Sequence, residues 1–154
     1  MSSKRYIDEV VSVYKGHDFF VKLQRLGHRC GYVRVNDSTL FSKIQNWYNW
    51  WNNQDFDFDV HGGITFVNQS TGDDYLPGMN WIGFDCAHYG ADCPDREATL
   101  NAFDDLLGSE LTILSTFHNS PYGTVRSKEY VVSECKWLID QLIGYGDSKE
   151  PSSI

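Results

Sequence analysis

Two stretches with helical spacing bracket a succession of short, β-rich runs broken by glycine, and this arrangement limits the fold class. Leu40, Ile44, Trp47, Tyr48 and Trp51 recur at intervals of three and four behind the capping residues Asn36-Asp37-Ser38, which predicts a helix over about 38–51 ended by Asn52-Asn53. Ser127 precedes a second such pattern, Val131, Cys135, Leu138 and Leu142, flanked by Val132, Ile139 and Ile143. It predicts a helix over about 127–143 closed by Gly144. Between and before them lie runs suited to strands. Phe19–Leu23 and Cys30–Val35 flank a Leu26-Gly27 turn and read as a hairpin. The alternating Asp55-Phe56-Asp57-Phe58-Asp59 leads into a strand over Val60–Val67, and Trp81–Cys86 forms another. Residues 1–13 fit a short helix or a strand. Leu100, Phe103, Leu106 and Leu107 suggest one short helix, with 109–125 irregular. The expected fold is a single α+β domain over 1–145 with an antiparallel sheet and two main helices, followed by a flexible tail at 146–154.

The chain has 154 residues, the size of one domain, and no apolar run near the roughly 20 residues of a membrane helix. Met1–Glu9 has no apolar stretch behind Lys4 and Arg5, so no secretory signal is read there, and a soluble, cytoplasmic protein is expected. Residues 44–95 contain no Lys or Arg and eight Asp, so this one segment accounts for a charge equal to the whole net charge of −8. Such a segment repels a phosphate backbone, which disfavours long nucleic acid as a partner. A small phosphorylated ligand is still compatible, since Arg25, Arg29 or Arg34 can meet it locally. Cys30, Cys86, Cys93 and Cys135 show no C-x-x-C spacing, which argues against a zinc ribbon or finger. Reduced thiols are the expectation, with pairing or a shared metal at Cys86 and Cys93 as the alternative.

If the strands 60–67 and 80–86 pair antiparallel with Val67 opposite Asn80, then His61 falls opposite Cys86 and Gly62 opposite Asp85. His88 follows just past the strand. This register gathers His61, Asp85 and His88 at one end of the hairpin beside the bare backbone of Gly62 and Gly63, the make-up of a binding or catalytic site. Trp81 and Tyr89 are candidate stacking rings, and His28 and Arg34 candidate donors to a ligand. Two imidazoles and a carboxylate suit a divalent ion or general acid–base work, and Cys86 beside two imidazoles is a candidate nucleophile with a lowered pKa. Duller accounts exist for each: His61 as a hydrogen-bonded structural group, Gly62-Gly63 as a bulge, Asp85 as an Asx-turn cap. The sequence itself names no metal or cofactor. Phosphate-loop, dinucleotide-loop, H-E-x-x-H and G-x-S-x-G signatures are all absent.

Three blocks, Gly27-His28-Arg29-Cys30-Gly31-Tyr32-Val33, Val60-His61-Gly62-Gly63-Ile64-Thr65-Phe66 and Trp81-Ile82-Gly83-Phe84-Asp85-Cys86-Ala87-His88, resemble those of a small protein family met in tailed-phage genomes and prophages. The family continues the third block with Gly-Asp, whereas this chain has an extra residue in Gly90-Ala91-Asp92. The resemblance implies a phage accessory protein acting in the host cytoplasm, and by analogy one that counters host defence. The leading expectation is therefore a protein that binds and sequesters a small nucleotide-like signalling molecule. The alternatives are a hydrolase or phosphodiesterase that cleaves such a nucleotide with His61, Asp85 and His88, and an acidic protein-interaction module. A homo-oligomer is compatible with all three.

Overall fold

The computed structural model describes residues 4–50, 55–72, 74–118 and 123–150. Strands β1 (Tyr6–Tyr14), β2 (His17–Gln24) and β3 (Arg29–Arg34) form an antiparallel meander, followed by helix α1 (Ser38–Trp50). Strands β4 (Phe66–Asn68) and β5 (Trp81–Asp85) complete a five-stranded sheet of order β1-β2-β3-β5-β4 whose neighbours all run antiparallel. Then come β6 (Asp92–Cys93), α2 (Arg96–Ala102), α3 (Gly108–His118), β7 (Thr124–Val125) and α4 (Lys128–Gly144), with β6 and β7 a short parallel pair. The α+β class with an antiparallel sheet holds. No helix is long and apolar enough to cross a membrane among the described residues.

Alternation along β2 and β3 gives the sheet two apolar faces. Phe19, Val21 and Val33 join Ile82 and Phe84 of β5 beneath α1 (Phe41, Ile44) and α4 (Val131, Cys135, Leu138, Leu142). On the opposite face Phe20, Tyr32 and Trp81 are covered by Leu76 and Tyr75 of the loop between β4 and β5. Lys22 is fully buried on that face, paired with Asp8 and set against the rings of Tyr6 and Tyr75 at 4.4 and 4.5 Å. Its charge is thus compensated by a carboxylate and two π-faces.

Several elements differ from the sequence expectation. Residues 6–14 are a strand, turned back into β2 by Lys15 and Gly16, both with positive φ, as a tight hairpin of right-handed twist requires. Residues 108–118 are helical, not irregular. This helix carries a weak apolar signal because only Leu114 is buried among residues 108–116, and its start is capped by Glu110 accepting the Leu107 N–H. Helix α4 begins as expected, with Ser127 Oγ accepting the Tyr130 N–H. It runs through Gly144, however, and the left-handed residue that ends it is Gly146, with Asp147 N–H reaching Leu142 O and Gly146 N–H reaching Ile143 O. Trp51 and Asn52-Asn53 lie outside the described residues.

The expectation of a flexible tail is corrected over 146–150. Asp147 is buried and accepts from His17 Nε2 at 2.7 Å, Asn36 N at 2.9 Å and Asp37 N at 2.8 Å. One carboxylate thereby ties the end of α4 to β2 and to the start of α1. Residues 151–154 lie outside the described residues. Asp147→Ala strands an imidazole and two backbone N–H groups in the interior, so a stability loss of at least about 2 kcal/mol is expected. Urea unfolding followed by circular dichroism measures it, and a variant as stable as the wild type contradicts the assignment.

Candidate functional site

The site is organised by a segment that alternates like a strand but pairs with no strand. Residues 55–61 run alongside α4, and the backbone N–H groups of 57, 59 and 61 are each taken by a side chain of that helix or of its C-cap residue Tyr145. Asp57 N–H donates to Tyr145 Oη at 2.8 Å, Asp59 N–H to Gln141 Oε1 at 2.7 Å and His61 N–H to Glu134 Oε1 at 2.9 Å. Gln141 Nε2 returns a bond to the Asp59 carbonyl at 2.8 Å. The alternate side chains, Phe56 and Phe58, stack on each other at 5.5 Å and edge onto Trp47 and Tyr145. The period of two is real, but the helix takes the place of a neighbouring strand.

After His61 the chain turns through Gly62 and Gly63, both with positive φ. The β4–β5 ladder is Phe66↔Gly83, Val67↔Ile82 and Asn68↔Trp81, offset by two positions from the expected register and starting only at Phe66. His61 therefore does not face Cys86 across a ladder. It faces Asp92, whose two carboxylate oxygens each lie 3.0 Å from His61 Nε2. The Tyr130 hydroxyl sits 2.8 Å from His61 Nδ1. His88 is the neighbouring imidazole, 5.5 Å away between ring centroids. Its ring lies so close over Gly62 that a Cβ there would collide with it, which explains the glycine by space as well as by φ. Gly63 differs: nothing approaches the position a Cβ would take, and its φ of 82° alone accounts for it.

Hydrogen-bond chemistry sets the state of these groups. His88 Nε2 lies 3.0 Å from the Asp85 carbonyl, which can only accept, so Nε2 carries the proton and a neutral ring keeps its lone pair on Nδ1. Asp92 has no exposed side-chain surface, and its remaining partners are His88 N at 2.9 Å and Arg126 Nε at 2.9 Å. Burial pushes its carboxyl pKa up, but the bonds from His61, the His88 amide and Arg126 outweigh burial and hold it below the ordinary value. The bond to Asp92 also raises Arg126. Asp92 is thus an ionised carboxylate in the interior, aimed at two imidazoles. One ligating atom from each of His61, His88 and Asp92 can be chosen so that all lie within 4.8 Å of one another.

The other sequence candidates distribute as follows. Asp85 is adjacent but plays the duller part: it accepts the Ala87 N–H and the Thr65 hydroxyl, both at 3.1 Å, and stands 3.5 Å from His88 Nε2. Cys86 is corrected: it is buried in the core, and burial pushes its thiol up to about 12, so no thiolate nucleophile forms. All four cysteines are free thiols. Trp81 is corrected too, being 1% exposed with its indole N–H donating to Pro77 O. Arg34 pairs with Trp81 at the end of the β3–β5 ladder remote from Asp85, a separation of four residues or about 13 Å, so neither lines the site. His28 donates through Nδ1 to the Cys86 carbonyl at 2.9 Å, beside the strand end that leads to His88. Tyr89 is 99% exposed and stacks on nothing described.

Sequence reasoning placed Asp92 close behind His88 but left its role open, and it missed Arg126, Tyr130 and Glu134 as parts of the site. Tyr130 and Glu134 are four apart, one helical turn, at the start of α4, and this i, i+4 polar pair on the edge of an apolar stripe was the available signal. No family model, curated protein or solved structure matches this chain.

A carboxyl whose folded-state pKa lies below its unfolded value contributes stability that is complete above the unfolded value and lost as pH falls through the folded one. Asp92→Asn removes this contribution. The stability gap between wild type and Asp92→Asn is therefore expected to be widest at neutral pH and to close below about pH 4. Urea titrations from pH 7 to pH 2 measure the gap, and a pH-independent difference contradicts the role of Asp92 as an ionised group.

Proposed function

We propose that this chain is a hydrolase of small nucleotide-like phosphoesters, with His61, His88 and Asp92 as its water-activating centre. The observation that carries this reading is the convergence of two imidazoles on one buried, ionised carboxylate. His61 is held on both ring nitrogens, His88 has its tautomer set by a carbonyl, and Asp92 is fixed by Arg126. Such preorganisation is what water activation needs, because the reacting geometry is reached without reorienting any of the three. In the reaction, water attacks phosphorus while its proton leaves to the site, and the departing oxygen is reprotonated. His88, about one-third exposed, is the member that meets solvent. Asp85 acts as a positioning residue through His88.

The acidic central segment supports a small substrate over a polymer, since it repels an extended phosphate chain. The phage resemblance supports a signalling nucleotide as the substrate class. One observation favours the second reading, capture without cleavage: with both ring nitrogens already engaged, His61 has the hydrogen bonding of a structural group.

Incubation with a panel of cyclic and ADP-ribosyl nucleotides, followed by chromatography, tests both. New products are expected, with turnover falling about 100-fold or more in His88→Ala and Asp92→Asn. Intact nucleotide released only after heat denaturation establishes capture instead. Neither products nor a thermal shift with any compound overturns both readings.

A further inference from the structure

We propose that His61, His88 and Asp92 together hold one divalent transition-metal ion of the zinc class, with the remaining coordination positions open to solvent. The inference concerns the same side chains as the hydrolytic reading but is tested by ion capture and not by turnover, so each can fail alone.

Spacing comes first. Ligands around a single tetrahedral ion with bonds of about 2.0–2.2 Å stand about 3.3 Å apart. His61 Nε2 and the nearer Asp92 oxygens are 3.0 Å apart, and the full trio spans no more than 4.8 Å. Bringing the widest pair to ligand spacing takes a movement of at most about 1.5 Å. Two nitrogens and one carboxylate oxygen suit zinc, cobalt or iron, whereas magnesium and calcium favour oxygen ligands.

The outer partners fit as well. A ligating imidazole donates its other N–H to a carbonyl, carboxylate or similar group, which sets the tautomer. His88 already does so, with Nε2–H on the Asp85 carbonyl and the lone pair left on Nδ1. For His61 the ion takes the place of the proton shared between Nε2 and Asp92. The ring's remaining proton then sits on Nδ1 and donates to Tyr130 Oη. Gly62 leaves room for the His88 ring to approach.

Charge completes the argument. The charged groups around the trio are Asp92, Asp85 at 3.5 Å from His88, Glu134 on the His61 amide, and Arg126 on Asp92. Three carboxylates and one guanidinium leave a local excess of two negative charges, which a divalent cation neutralises.

The test uses the full, tag-free chain after treatment with chelator. Calorimetric titration with Zn²⁺ and absorption titration with Co²⁺ are expected to show one ion per chain, with no comparable response to Mg²⁺ or Ca²⁺. His88→Ala and Asp92→Asn are each expected to weaken binding at least about 100-fold. Tyr130→Phe, which removes an outer partner, is expected to weaken it about 10-fold. His28→Ala, an imidazole outside the trio, is expected to bind as the wild type does. If Asp92→Asn fails to fold, His88→Ala decides, because that side chain is part-exposed and outside the core. Absence of saturable Zn²⁺ binding overturns the proposal, as does unchanged affinity in His88→Ala.

Discussion

The feature on which the rest of this structure depends is the row of polar side chains along α4 that hydrogen-bonds the backbone of residues 57–61. A segment that lies beside a helix has no ladder to hold its backbone in register, so side-chain partners must do what a neighbouring strand would otherwise do. Tyr145, Gln141 and Glu134 supply those partners, at spacings of four and seven that keep them on one helical face. The adjoining stripe of the same helix, Val131, Cys135, Leu138 and Leu142, is fully buried against the sheet. One helix therefore fixes the core with its apolar stripe and the position of His61 with the polar row at the edge of that stripe. Any shift of α4 against the sheet moves the imidazole relative to Asp92.

Around that fixed imidazole, the remaining groups are placed by short-range chemistry. Asp92 sits where β6 meets β7, and the strand pairing there brings Arg126 onto its carboxylate. The Asp85 turn orients the next residues so that the His88 amide and ring flank the same carboxylate. Gly62 is the point at which two requirements coincide: a left-handed backbone and an imidazole lying where a side chain would begin. An alanine there meets both penalties at once. The buried charge on Asp92 is tolerable because three donors reach it, which outweighs the desolvation it suffers.

Much of the architecture was legible. The hairpin of β2 and β3, both main helices and the cap at Ser127 follow from periodicity and turn chemistry, which are local. The proximity of His61 and His88 was also correct, though the register that suggested it was off by two. Such a slip preserves which face each residue occupies, so the error displaced residues along the strand without inverting them. Asp55–Asp59 misled because alternation reports a two-sided environment and not the identity of the neighbour. Asp92, Tyr130 and Glu134 escaped because their partnership with His61 spans 31, 69 and 73 positions, beyond anything a local pattern encodes. The choice of Asp85 over Asp92 came from the expected register, which set Gly62 opposite Asp85 and is offset by two from the observed ladder. The anchoring of Asp147 escaped for the same reason of distance.

The Asp147 anchor has a bearing on the order in which the molecule can assemble. Its partner His17 lies 130 positions earlier, on the second strand of the sheet. Until α4 and Asp147 are in place, the β1–β2–β3 meander has only α1 to cover its hydrophobic face, and the amino end of α1 lacks the carboxylate that ties it down. Completion of the fold is thus a chain-spanning event, of the kind that slows folding because a long loop must close first. The hydrogen bonds that close the domain join widely separated elements, β2 and the turn after α4.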